Sequence, residues 1–175
     1  MAGMEEMEAE SLHTVYLSLG SNLGNRRQNI RRAIVMIGDL IGSVDRQSTL
    51  LETEPWGFSS EHKFLNACVK VLTHLSPREV LQQAHIIEHR LGRVRKLPDE
   101  PSANDSDDSS NTVTDDVQRA YADRPIDIDI LLYDGLIVRE PDLTIPHPLM
   151  LERDFVMIPL QEIIDDEDVL PIHPC

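Results

Sequence analysis

Cysteine is nearly missing from this chain: Cys68 and Cys175 are the two it has, far apart in 175 residues. A disulfide framework is thereby excluded, and free thiols point to a reducing, cytoplasmic setting. Cys68 lies inside FLNACVKVL, which reads as core packing rather than thiol chemistry. Long apolar runs are also absent, so nothing reads as a membrane span. The opening MAGMEEMEAES has neither the basic start nor the apolar stretch of a secretory signal. Basic residues are the third scarcity: 16 Lys and Arg stand against 31 Asp and Glu, a formal net charge of −15. Duplex nucleic acid and anionic membranes need a positive footprint, so neither is expected as a partner.

The acidic surplus is concentrated. Residues 1–12 read as a disordered acidic tail, and Asp99–Asp116 holds no Lys or Arg at all. The connection over 97–119 is expected to be a flexible acidic loop, because its Ser and Asp leave little apolar surface to bury. The rest of 13–175 reads as one domain with a single core. TVYLSLG (14–20) predicts a strand, and Ile30, Ala33, Ile34, Ile37 and Ile41 recur at helical spacing after it. GSNLG between them is a tight turn, with Ser21 or Asn22 the expected helix cap. It lacks the Gly-Lys-Ser/Thr ending of a P-loop. Strands are expected over 45–54 and 63–74. Ser76-Pro77-Arg78-Glu79 then opens a second helix with a capping box, and Val80, Ala84, Ile87 and Leu91 form its apolar stripe. A last strand over 126–133 runs into an Asp134-Gly135 hairpin turn, and a short helix is expected over 154–165. The fold class is α+β: a ferredoxin-like βαββαβ antiparallel sheet with helices on one face, plus a C-terminal extension.

Strand alternation sorts the side chains. Leu65, Ala67, Val69 and Val71 face the helices, as do Ile126, Ile128 and Ile130, which leaves Phe64, Asn66, Lys70, Asp127 and Asp129 on the other face. Two carboxylates side by side repel, and a divalent cation relieves them; oxygen-only ligands suit Mg²⁺. A polar strand face paired with arginines satisfies the same pattern. GRVRK (92–96) supplies Arg93, Arg95 and Lys96, and Arg124 precedes the aspartates. Guanidinium groups beside paired carboxylates are parts of a phosphoryl-transfer site, although RVRK also reads as a solvated basic turn. His147, framed by Pro146 and Pro148, is either structural or a ligand contact. Trp56 is either a core anchor or a platform for a flat ligand.

LSLGSNLGNR, TEPWG, FLNA, IIEHRLGRVRK, RPIDIDILLYDG and LTIPHPLMLERDFVMIPL, in that order between Thr14 and Ile164, resemble the 6-hydroxymethyl-7,8-dihydropterin pyrophosphokinases of folate biosynthesis. The resemblance implies a ferredoxin-like fold, a cytoplasmic monomer, and ATP and 6-hydroxymethyl-7,8-dihydropterin as substrates. Pyrophosphate passes from ATP to the pterin hydroxymethyl oxygen, giving AMP, with two Mg²⁺ ions. It also implies metal ligation by Asp127 and Asp129, with Arg95 and Arg124 completing the catalytic set. Glu88, Arg93, Lys96, Ile130, Thr144, His147 and Arg153 match ATP-binding positions. Thr53, Glu54, Trp56, Phe64, Asn66, Tyr121 and Phe155 match pterin-binding positions, Phe64 and Phe155 sandwiching the ring. The departures are the acidic insertion, Tyr121 in place of tryptophan, Pro148 in place of an aromatic residue, and Trp56 in place of an aliphatic one. Two rivals are a metal-dependent phosphohydrolase or nucleotidyltransferase, and a non-catalytic ligand-binding module.

Overall fold

The computed structural model of the chain describes residues 11–54, 62–92 and 124–168. The acidic loop expected over 97–119 lies outside them, as does nearly all of the expected acidic tail. The central strand is β1 (His13–Ser21), buried along most of its length. It pairs antiparallel with β4 (Phe64–Thr73) on one side and β5 (Asp127–Tyr133) on the other. Two shorter strands, β2 (Gly42–Gln47) and β3 (Leu51–Thr53), both pair antiparallel with β4, giving the order β2-β4-β1-β5 with β3 beside β4. The strand expected over 45–54 is therefore two strands. Ser48 breaks it: its backbone N–H donates to the Cys68 carbonyl and its hydroxyl accepts the Cys68 N–H, so side-chain bonding replaces the ladder.

Helices α1 (Arg26–Leu40) and α2 (Pro77–Arg90) lie on one face of the sheet. Their buried stripes, Ile30, Ala33 and Ile37 with Val80, Ala84 and Ile87, meet Val15, Leu17, Leu19, Leu65, Ala67, Val69, Val71, Ile126, Ile128 and Ile130 in one core. Ser76 and Glu79 form the expected capping box, and Gly92, with φ +101°, ends the second helix in a conformation other residues resist. The first helix is capped by Asn25, whose side chain accepts the Gln28 N–H at 3.1 Å. Neither Ser21 nor Asn22 is the cap, because Ser21 is still strand and the Asn22 side chain is engaged with Arg124.

The other sheet face is half covered, which departs from helices on one face only. Helix α3 (Asp154–Ile163) lies across it, and Val156, Leu160 and Ile163 join Tyr16, Cys68, Leu131, Leu132 and Met150 in a second core. Cys68 is packing here, as its surroundings predicted; burial pushes its thiol up to about 12. The segment after the helix is pinned by Lys70 to Asp165 and by the Tyr16 hydroxyl to Asp168. Leu131 is the extra residue of a bulge: Tyr16 pairs with Leu132 and Leu17 with Ile130. After β5 the Asp134-Gly135 turn forms, with Asp134 at φ 49°, but no hairpin partner of β5 follows. Asp134 instead holds β1, its carboxylate accepting the Thr14 N–H at 2.8 Å. The chain then leaves to make a separate pair, β6 (Val138–Glu140) with β7 (Leu143–Ile145). Among the described residues no helix is long and apolar enough to cross a membrane.

The second core should matter to stability as much as the first. Leu160 is fully buried, so Leu160→Ala is expected to cost about 2–5 kcal/mol, read as a lower urea midpoint at unchanged slope. A loss below about 0.5 kcal/mol would mean that α3 is not anchored by this contact.

Candidate active site

The half of the second face that α3 leaves uncovered is built around Gly20. The register sets Asp127 opposite Gly20 on one side and Asn66 opposite it on the other. One row further, Asp129 is opposite Ser18. Two carboxylates, a glycine and an amide thus stand in adjacent strands on one face. A Cβ at position 20 would lie 3.2 Å from the Asn66 Oδ1 and 3.5 Å from the Phe64 ring, so the missing side chain lets both groups settle over β1. The Asn66 amide donates to the Thr53 hydroxyl at 2.7 Å, joining two residues expected at the pterin.

Charge is tightly organised at the β5 end. The Arg124 guanidinium is 3.3 Å from the Asp127 carboxylate. Burial, then the negative charges of Asp127 and Glu88, push the Asp129 carboxyl well above the usual carboxylate range; Arg153 and Arg124 offset part of this. Glu88, buried at the end of α2, accepts the Ile128 N–H at 3.4 Å, covering a donor on the sheet's edge strand. The His147 backbone N–H donates to the Leu131 carbonyl at 3.0 Å, and its Nδ1 accepts the Leu149 N–H at 3.2 Å. That places the proton of the neutral ring on Nε2. Burial, assisted by the Arg153 charge, lowers its pKa to about 4. Arg153 itself stands 5.6 Å above the Phe155 ring, a cation–π pair at the start of α3.

The expected residues fall into three groups. Asp127, Asp129, Arg124, Glu88, His147 and Arg153 are linked through the contacts and charges above, and Thr53, Phe64 and Asn66 gather around Gly20. Three stand apart. The Ile130 side chain is in the helix-side core, so only its backbone is available to a ligand. Glu54 is exposed and paired with Lys63, and Thr144 is exposed on β7 opposite Arg139. Trp56, Arg93, Arg95, Lys96 and Tyr121 lie outside the described residues. Sequence reasoning did not single out Gly20 or Ser18 as site residues, nor give Asn22 its role beside Arg124. Strand alternation puts Ser18 and Gly20 on one face, but their neighbours depend on a register the sequence does not print.

Among the described residues no third His, Cys, Asp or Glu completes a protein-only metal cage around the two aspartates. Two carboxylates in conflict over their charge still fit a hard divalent cation whose remaining ligands come from substrate oxygens and water.

His147 gives a pH prediction with a definite sign. Its folded pKa lies below the ordinary value, so the unfolded chain binds the extra proton between about pH 6.5 and 4 and this residue's contribution to stability falls as pH falls through that window. His147→Gln, which cannot be protonated there, should flatten part of the decline in urea midpoint. Parallel pH profiles for the two proteins would contradict a neutral buried imidazole.

Comparison with known proteins follows the same residues. Residues 16–165 match the profile described as 7,8-dihydro-6-hydroxymethylpterin-pyrophosphokinase (HPPK). A 2-amino-4-hydroxy-6-hydroxymethyldihydropteridine pyrophosphokinase of Porphyromonas gingivalis is 43% identical over 162 residues, covering 91% of this chain and 93% of that one. A protein of the same description from Aquifex aeolicus is 35% identical over 160 residues, covering 91% and 85%. A Plasmodium falciparum HPPK-DHPS crystal structure superposes with a TM-score of 0.58 at 15% identity, covering 87% of this chain and 40% of that one. That structural likeness speaks for the fold alone, and this chain spans about two-fifths of the larger protein. The chain belongs to the 7,8-dihydro-6-hydroxymethylpterin-pyrophosphokinase family.

Proposed function

We propose that the uncovered half of the sheet, in a ferredoxin-like domain, is where this chain carries out its family's reaction. That reaction is transfer of pyrophosphate from ATP to 6-hydroxymethyl-7,8-dihydropterin in folate biosynthesis. One observation carries the assignment to this face: Gly20 has Asp127 on one side and Asn66 on the other, so a phosphate-binding end and a flat-ring end meet across a position that carries no side chain. Thr53 and Asn66 offer hydrogen bonds to the heterocycle, and Phe64 offers a stacking face. Phe155, held against Arg153 at the start of α3, supplies a second aromatic surface.

Asp127 and Asp129 would hold the two Mg²⁺ ions that the reaction uses. Bound there, the ions supply neutralisation of phosphate charge and a lower pKa for the attacking hydroxyl. Arg124, beside Asp127, binds oxyanion charge as it develops, and Arg153 and His147 meet the nucleotide. His147 does so as a neutral donor through Nε2, because its Nδ1 is occupied. The choice between attack at the β- and γ-phosphorus rests on where the acceptor oxygen is held. A pterin seated at Thr53, Phe64, Asn66 and Phe155 extends its hydroxymethyl arm toward the aspartates, and the β-phosphorus is the centre it meets. The working unit is a monomer in the cytoplasm; the free, buried thiol of Cys68 is compatible with reducing surroundings.

Incubation with ATP, Mg²⁺ and hydroxymethyldihydropterin should give AMP and a pterin diphosphate in equal amounts, resolved by phosphorus NMR. Asp127→Ala or Asp129→Ala should keep the fold and lose most turnover at limiting Mg²⁺. ADP as the nucleotide product would refute attack at the β-phosphorus, and ATP loss without pterin would favour a phosphohydrolase. Near-normal turnover in either aspartate variant would sink the metal assignment.

A further inference from the structure

Asn22, two residues beyond Gly20, is buried to 2% exposure, and nothing in the reaction described above calls on it. Its backbone N–H donates to the Arg124 carbonyl at 3.1 Å, and its side-chain Oδ1 accepts the Arg124 N–H at 2.7 Å. One residue therefore holds both backbone polar groups of Arg124. Its Nδ2 also donates to the His62 carbonyl at 3.4 Å, just before β4. The need for this arrangement is local. Continuing the β1–β5 register from Gly20 opposite Asp127 brings Asn22 opposite Pro125, which has no N–H to give to a ladder. The amide side chain restores the pairing one residue further out.

We propose that Asn22 is a positioning residue that acts through Arg124, an inference that rests on the role given to Arg124 above. The Arg124 side chain is long and has many rotamers, and its guanidinium stands 3.3 Å from Asp127. Its reach toward developing charge depends on where its Cα is fixed. Two hydrogen bonds from one buried residue fix it before substrate arrives, which is the preorganisation that electrostatic stabilisation requires. A backbone displaced by an ångström would leave Arg124 chemically intact and geometrically wrong, a defect on the order of 100-fold in rate.

The test is a double-mutant cycle of Asn22→Ala with Arg124→Ala, read as kcat and as KM for ATP. Asn22→Ala alone should lower kcat on the order of 10- to 100-fold with little change in KM. In the Arg124→Ala background the same change should cost less than about twofold, because its target is gone. Asn22→Asp, which keeps the Oδ acceptor toward Arg124 but not the donor toward His62, should retain Arg124 amide protection in hydrogen exchange, whereas Asn22→Ala should lose it. If the alanine variant does not fold, Asn22→Gln, which keeps the amide but moves it by one methylene, runs the same cycle. Additive losses, or an unchanged kcat in Asn22→Ala, would overturn the coupling. A full kcat in Arg124→Ala would instead overturn the role of Arg124 in the proposed reaction, so the two failures are distinguishable.

Discussion

The pleat of β1 governs the rest of the molecule. A central strand paired on both edges must do something with both faces, and successive residues point to opposite ones. Val15, Leu17 and Leu19 go into the core under α1 and α2, which leaves Tyr16, Ser18 and Gly20 on the reverse. That reverse face is divided along the strand. Tyr16 lies beneath α3 in a second apolar core, whereas Ser18 and Gly20 lie beneath Asp129, Asp127, Asn66 and Phe64. The side chain shrinks from tyrosine to serine to glycine as the covered half gives way to the open one. The candidate site is thus the part of a sheet face that a short helix leaves free, and it borders the start of α3, where Arg153 and Phe155 stand.

The electrostatics follow from that placement. An aspartate pair on a fully solvated strand would ionise with little penalty; one partly enclosed between Glu88, His147 and Arg153 does not. Burial and like charge act together on Asp129, with arginines supplying incomplete relief. A site in this condition has unmet demand for positive charge, which the metal-bound triphosphate of the proposed reaction would meet. Keeping His147 neutral fits the same logic, since a buried imidazolium beside Arg153 would add repulsion there.

Much of this was legible in the sequence because it is local. The alternation of Ile126, Ile128 and Ile130 with Asp127 and Asp129 is enough to separate core from site, and the capping box at Ser76 marks the start of α2 without reference to anything distant. What was not legible depended on partners far along the chain. Ser48 interrupts the second strand because Cys68 is there to bond it, and Thr49 is drawn off to Glu162. Asp134-Gly135 has the composition of a hairpin turn, yet Asp134 spends its carboxylate on β1 and the hairpin does not form. The third helix was visible as a helix, but its choice of sheet face was not, since an amphipathic segment carries no label for the surface it will cover.

The bulge at Leu131 sets how this sheet can change over generations. It puts Leu131 and Leu132 together on the face under α3, and so shifts the inside–outside phase of β5 between its carboxylate half and its C-terminal half. Substitutions on either side act one position at a time. Loss of Leu131 itself would remove the unpaired residue and leave both halves in register, whereas a one-residue slip on either side of it would turn the aspartates toward the helices or Tyr133 away from its bond to the Leu75 carbonyl. A change of length in β5 is consequently absorbed best at the bulge and worst in the half that carries the aspartates.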